Sequence, residues 1–158
     1  MAGAKLVAKR VEELRFAKAP VQAGARLTEL HLRFHGYGEG QWTDSAVRRY
    51  VTDAGPLLER LHRLTRADCT TRNRRKAQRL RESYDDLERR IADLQAKEEL
   101  DAVRPDLDGQ QIMEILGIRP GPVVGKAYKH LLELRLENGP MEYDAAIAAL
   151  KEWWAEQQ

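Results

Sequence analysis

The chain has 158 residues, of which 42% are hydrophobic, 33% charged and 6% aromatic. This balance is typical of a helical protein with one compact domain or two small ones, and it argues against a disordered or all-β chain. The chain has a single cysteine, Cys69, which excludes an intrachain disulfide. No apolar run approaches the ~18 residues of a membrane span, and the N-terminal segment lacks the apolar centre of a signal peptide. We therefore expect a cytoplasmic protein with no membrane partner.

The net charge of +2 hides a strong asymmetry along the chain. Residues 60–81 hold nine arginines or lysines against one acid, Asp68, which gives this segment a charge of +8 and leaves −6 for the remainder. A basic segment in an otherwise acidic chain is typical of a surface that binds nucleic acid or another polyanion.

The first half of the sequence predicts short amphipathic helices separated by turns. A helix over 4–18 is expected to end before Pro20, and a second runs from Val21 to a glycine-rich loop that begins at Gly36. Thr43 or Asp44 caps a third helix. Gly55 and Pro56 separate it from a fourth helix with a leucine face.

A long helix follows, with an apolar seam at spacings of 4, 3, 4 and 3 residues. The seam consists of Leu80, Tyr84, Leu87, Ile91 and Leu94. Such a stripe packs on the rest of its own domain or, alternatively, forms the interface of a coiled-coil homodimer. The sequence leaves both uses open, and the dimer gives a third class of function, a helical dimerisation module.

Pro105 and Gly109 mark a linker, so we predict a helical body over 1–103 and a small helical tail over 104–158. Asp108 and Gln111 have the spacing of a capping box for the first tail helix. Two further helical stretches complete the tail, and no strand is required anywhere. The predicted fold class is all-α.

The basic segment is the strongest functional signal because it contradicts a local preference. Asn73 is the predicted N-cap of the long helix, which places Arg74, Arg75 and Lys76 in its first turn, where the helix dipole disfavours positive charge. A local conflict of this kind is typical of a binding site. We predict that phosphates bind five residues of this segment: Arg72, Arg74, Arg75, Lys76 and Arg79.

The tail offers a second anchor for phosphates. In "LGIRPGPVVGKAYKHLL" two helices flank a glycine- and proline-rich turn, and Lys126 and Lys129 follow it. Helix-hairpin-helix units hold phosphates in this way. The same glycines, Gly121 and Gly125, would also permit tight helix packing, and the sequence does not decide between the two uses.

Metal chemistry has weaker support. His31 and His35 share a helix face, and Asp68 is a candidate third ligand, so a metal-dependent phosphohydrolase is an alternative function. Asp106 and Asp108 fit a turn and a helix cap better than a two-metal centre. We assign no catalytic residue in this chain.

Two long stretches resemble a known family. The segments "ELHLRFHGYGEGQWTDSAVRRYVTDAGPLLERLHRLTRADCTTRNRRKA" and "PDLDGQQIMEILGIRPGPVVGKAYKHLLELRLENGP" resemble the C-terminal half of the CCA-adding tRNA nucleotidyltransferases, of the actinobacterial type. The resemblance implies a helical body and tail that hold tRNA, with the body derived from a truncated HD domain. Family members add nucleotides from CTP and ATP to the tRNA 3′ end with Mg²⁺.

The departures from the family limit what the resemblance implies. The catalytic head, with its paired carboxylates, has no counterpart here, so the chain is expected to be inactive alone. His31 and Asp68 match late HD ligands, but the earlier ligands of that motif would lie upstream, which leaves an incomplete metal site. The resemblance therefore implies a tRNA-binding region whose arginines face RNA.

Overall fold

The computed structural model describes residues 2–37, 42–68, 71, 73–98 and 103–157, and the side chain of His35 lies outside this description. The described chain is α-helical throughout, without a strand, which confirms the all-α prediction. The α-helices are α1 (Ala2–Glu13), α2 (Lys18–Leu30), α3 (Asp44–Ala54), α4 (Leu58–Asp68), α5 (Arg74–Glu98), α6 (Gly109–Leu116), α7 (Pro122–Asn138) and α8 (Tyr143–Ala155). A short 3₁₀ helix at His31–Gly36 follows α2, and another at Gly55–Leu57 lies between α3 and α4. No helix of this described part is long and apolar enough to cross a membrane.

The break between the first two helices lies earlier than the sequence predicts. α1 ends at Glu13, and Arg15 takes a left-handed conformation with φ 58° while its N–H donates to the Glu12 carbonyl at 2.8 Å. Pro20 falls in the first turn of α2, where its missing N–H has no helical partner to lose. The turn, and not the proline, therefore ends α1.

The chain folds into two compact units, and the predicted division into a body and a tail at residue 103 stays a prediction. The first unit contains 1–43 and 53–93, and the second contains 44–52 and 94–158. The boundaries therefore fall within α3 and α5, and the segment 44–52 belongs with the tail helices.

The first unit is built around aromatic and leucine side chains. Phe34 and Tyr84 are almost fully buried, and their rings meet edge to face with centroids 4.8 Å apart. Leu87 and Ile91 of α5 are also buried, at 0% and 2% exposure. Much of the apolar seam is therefore used inside the chain, in agreement with the packed alternative. A homodimer through this helix would need other faces of it, and it stays a prediction.

The second unit has its own apolar core and a buried ion pair. The core consists of Leu107, Ile112, Ala127, Leu131, Ala146 and Leu150, all fully buried. Arg48 of α3, only 6% exposed, donates from Nε to Glu98 Oε2 at 2.7 Å and from Nη2 to Glu98 Oε1 at 2.9 Å. Its Nη1 donates to the carbonyls of Leu136 and Glu137 at 3.3 and 3.0 Å. These bonds satisfy carbonyls at the end of α7 and explain why 44–52 belongs to this unit.

Candidate nucleic-acid interface

The start of α5 has the cap that the sequence predicts. The backbone N–H of Lys76 donates to Asn73 Oδ1 at 3.1 Å, and the Asn73 N–H donates to Thr71 Oγ1 at 3.3 Å. Because Asn73 fixes the first turn, Arg74, Arg75 and Lys76 occupy its first three positions, as predicted. There is no acidic residue in this turn to balance the positive end of the helix dipole.

These basic side chains lie in solvent, and the described residues offer them no acidic partner. Arg74, Arg75, Lys76 and Arg79 are all exposed, and none of them forms an ion pair with a residue that the structure describes. Arg74, Arg75 and Arg79 line an open concavity of about 730 Å³ together with Gln78. The structure thus brings three of the predicted phosphate ligands around one surface depression. Arg72 and Cys69 lie outside the described residues.

Arg66, in the same basic segment, behaves differently. Its Nη2 donates to Asp85 Oδ1 and to Glu88 Oε2, both at 2.7 Å, and its guanidinium lies 4.7 Å from the centroid of the Tyr84 ring. The hydrogen bonds to Glu88 and Asp85 raise the pKa of Arg66 above its usual value. Two carboxylates balance this charge, so Arg66 joins α4 to α5, whereas the cations at the start of α5 have no such role.

The acidic residues of α5 are placed accordingly. Asp85 and Glu88 lie about three and four turns into the helix, close to Arg66, and neither pairs with the arginines of the first turn. The arginines of the concavity therefore form no ion pair among the described residues, although Glu82 accepts a hydrogen bond from Gln78 and the remainder of the chain is acidic. Positive potential concentrated at one surface attracts a polyanion at long range.

Gln78 is the residue of this surface that the sequence analysis missed. The charge pattern identified its arginine neighbours, but a neutral side chain gives no charge signal. Its place beside the arginines could nevertheless have been predicted from helical spacing, because residues 74, 75, 78 and 79 are one, three or four positions apart and so lie together on a helix.

The second predicted anchor is the turn between α6 and α7. α6 ends at Gly117 in a left-handed conformation with φ 64°, and α7 begins at Pro122 after Gly121. The capping box is present, because Asp108 Oδ1 accepts from the Gln111 N–H and Gln111 Oε1 accepts from the Asp108 N–H, both at 2.8 Å. The local structure of this turn therefore follows the sequence closely.

The glycines and lysines of this turn face open space. A Cβ built on Gly125 would meet no atom within 4 Å, and one on Gly121 would meet only a backbone oxygen at 3.9 Å. Helix packing thus does not require these glycines among the described residues. Lys126 and Lys129 are exposed and have no acidic partner in the described ranges. The surface remains accessible to an anion.

The metal candidates are not assembled into a site by the described residues. His31 Nδ1 lies 2.8 Å from the Thr28 carbonyl, which engages one of its two ring nitrogens, and Asp68 is exposed at the end of α4. No group of three or more His, Cys, Asp or Glu side chains within the described part could hold a metal ion. Since the His35 side chain lies outside this part, the metal site through His31 and Asp68 stays a prediction.

Comparisons with protein-family models, with curated proteins and with solved structures each find no match to this chain.

Proposed function

We propose that this chain binds tRNA, as the C-terminal body and tail region of a CCA-adding tRNA nucleotidyltransferase, in the cytoplasm. The observation that carries the proposal is the group of basic side chains at the start of α5. Arg74, Arg75 and Arg79 line a concavity, they and Lys76 are exposed, and no carboxylate of the described residues neutralises them.

This arrangement of charges has an energetic cost in the free protein. Positive charge in the first turn of a helix opposes the dipole by a few tenths to about 1 kcal/mol per residue. Two acidic side chains of α5, Asp85 and Glu88, pair with Arg66, and no carboxylate of the described residues pairs with Arg74 or Arg75. A phosphate backbone would supply the missing negative charge, with bidentate hydrogen bonds from the guanidinium groups.

The tail supports the same function through a separate surface. Lys126 and Lys129 follow an open glycine turn in the second unit, and neither has an acidic partner among the described residues. Backbone contacts of this kind recognise helical shape and not base sequence, because side chains cannot read the deep major groove of A-form RNA.

The proposal assigns binding, and no catalysis, to this chain. No residue here is given the role of a nucleotidyltransferase carboxylate, so Mg²⁺ and the nucleotide substrates belong to the parent enzyme. We expect the isolated chain to hold tRNA without adding nucleotides.

The test is a titration of fluorescently labelled tRNA at several salt concentrations. If about five phosphates are neutralised, the logarithm of the association constant should fall with the logarithm of the salt concentration at a slope of roughly −4. A variant with Arg74, Arg75 and Lys76 all changed to Glu should lose binding while its circular dichroism spectrum stays helical.

The matched control changes Lys5, Lys9 and Lys18 to Glu. These lysines are exposed and have no acidic partner in the described part, and the control changes the net charge by the same amount. The control should retain most of the affinity. Equal losses in both variants would show that only net charge matters and would contradict a site at α5.

A further inference from the structure

Gln78 differs chemically from the other three residues that line the concavity. Arg74, Arg75 and Arg79 can only donate hydrogen bonds, whereas the amide of Gln78 can both donate and accept. A site built only for phosphate has no use for an acceptor, since phosphate oxygens are themselves acceptors. The ligand that Gln78 faces should therefore carry a hydrogen-bond donor next to its phosphate.

The orientation of the Gln78 amide is fixed by a neighbour on the same helix. Its Nε2 donates to Glu82 Oε1 at 2.8 Å, and a carboxylate can only accept. The carbonyl Oε1 is therefore the end left for a ligand, and it accepts no hydrogen bond from any residue in the described ranges.

The helix also directs Gln78 away from the core. Gln78 precedes the fully buried Leu87 by nine residues, which is about two and a half turns, so the two side chains leave α5 on opposite sides. The Gln78 amide thus lies on the solvent face together with the arginines of the concavity.

We propose that Gln78 Oε1 accepts a hydrogen bond from a ribose 2′-hydroxyl, so that this surface selects RNA over an equivalent polymer without that donor. The inference rests on the proposed function, because it assumes that the arginines hold a polynucleotide backbone. The 2′-hydroxyl is the donor attached closest to the phosphates, and A-form duplexes display it in the wide, shallow minor groove. Base amino groups in the deep major groove are out of reach of a short side chain on a helix.

The experiment compares two probes and three proteins. The probes are a short RNA duplex and the same duplex with fluorine in place of every 2′-hydroxyl, which can no longer donate. The proteins are the wild type, Gln78→Met and the control Gln110→Met. Gln110 is matched because its Nε2 also donates to a glutamate four residues on, Glu114, at 3.1 Å, but in α6.

The wild type should bind the unmodified duplex about three- to tenfold more tightly than the fluorinated one, the range expected for one hydrogen bond. Gln78→Met should reduce this ratio to within about twofold by weakening only the binding of unmodified RNA, and Gln110→Met should retain the wild-type ratio. Because one i,i+4 pair contributes only a few tenths of a kcal/mol, neither change should unfold its helix. Circular dichroism checks this directly.

Two results would overturn the inference alone: equal wild-type affinity for both duplexes, or a Gln78→Met protein that keeps the full preference for RNA. Both leave polynucleotide binding intact. Failure of the wild type to bind either duplex or tRNA would overturn the proposed function as well, so the two failures are distinguishable.

Discussion

Glu98 holds the buried guanidinium of Arg48, and its removal should strongly destabilise the second unit. The side chains are 7% and 10% exposed, and two hydrogen bonds join them at 2.7 and 2.9 Å. Glu98→Ala would leave a buried positive charge without its counter-ion, a change that costs about 3–5 kcal/mol in proteins. The carbonyls of Leu136 and Glu137 still accept from Arg48, which places our expectation near the lower end, about 3 kcal/mol.

The matched control is Glu133→Ala, which breaks another glutamate–arginine pair in the same unit. Glu133 accepts from Arg49 at 2.7 Å, but the two side chains are 49% and 40% exposed, so its removal should cost less than about 1 kcal/mol. The assay is urea denaturation followed by circular dichroism, with the free energy of unfolding extrapolated to water.

A double variant separates the charge from the packing. Arg48→Met combined with Glu98→Leu replaces the pair by apolar side chains, so it should cost less than the sum of the two single changes to alanine. If Glu98→Ala and Glu133→Ala cost the same, the reasoning from burial is refuted.

Three other outcomes are expected. Arg75→Gln should reduce the log–log slope of tRNA affinity against salt concentration by about 0.9. Arg66→Gln should leave the slope unchanged, because Asp85 and Glu88 already balance the charge of Arg66. Equal changes of slope in the two variants would contradict the assignment of Arg75, and not Arg66, as a phosphate ligand. Burial lowers the pKa of His62, although Glu88 opposes the shift, so the unfolded chain binds more protons than the folded chain below the usual histidine pKa. The free energy of unfolding should therefore fall as the pH is lowered from 7 towards 5. Denaturation curves of His62→Leu at both pH values should show a smaller fall. An equal fall in the variant would mean that other groups cause the pH dependence. Asp108→Ala removes the N-cap of α6 and should lower the free energy of unfolding by about 1 kcal/mol. The melting temperature should fall, and an unchanged melting temperature would contradict this prediction.

Local sequence signals predicted the features that depend on near neighbours. Asn73 caps α5, Asp108 and Gln111 form a capping box, and Gly55 and Pro56 separate α3 from α4, all as expected. Each of these depends on hydrogen bonds or dihedral preferences within about four residues, so a short stretch of sequence contains the whole interaction.

Features that depend on contacts between residues far apart in the sequence could not be predicted from local patterns. Arg48 bonds to Glu98, fifty residues away, and joins 44–52 to the second unit, a contact that no local pattern indicates. The sequence likewise did not separate Arg66 from Arg75, since both are arginines in one basic segment.

The sequence by itself determined that the chain is helical and that positive charge is concentrated in residues 60–81, because helical periodicity and net charge are properties of residues close in the chain. Only the tertiary structure decided which of those cations are available to a ligand. Asp85 and Glu88 neutralise Arg66 across two helices, while Arg74, Arg75 and Arg79 form no ion pair with a carboxylate of the described residues. Pairing of charges depends on distance in space, which the fold sets and the order of residues does not.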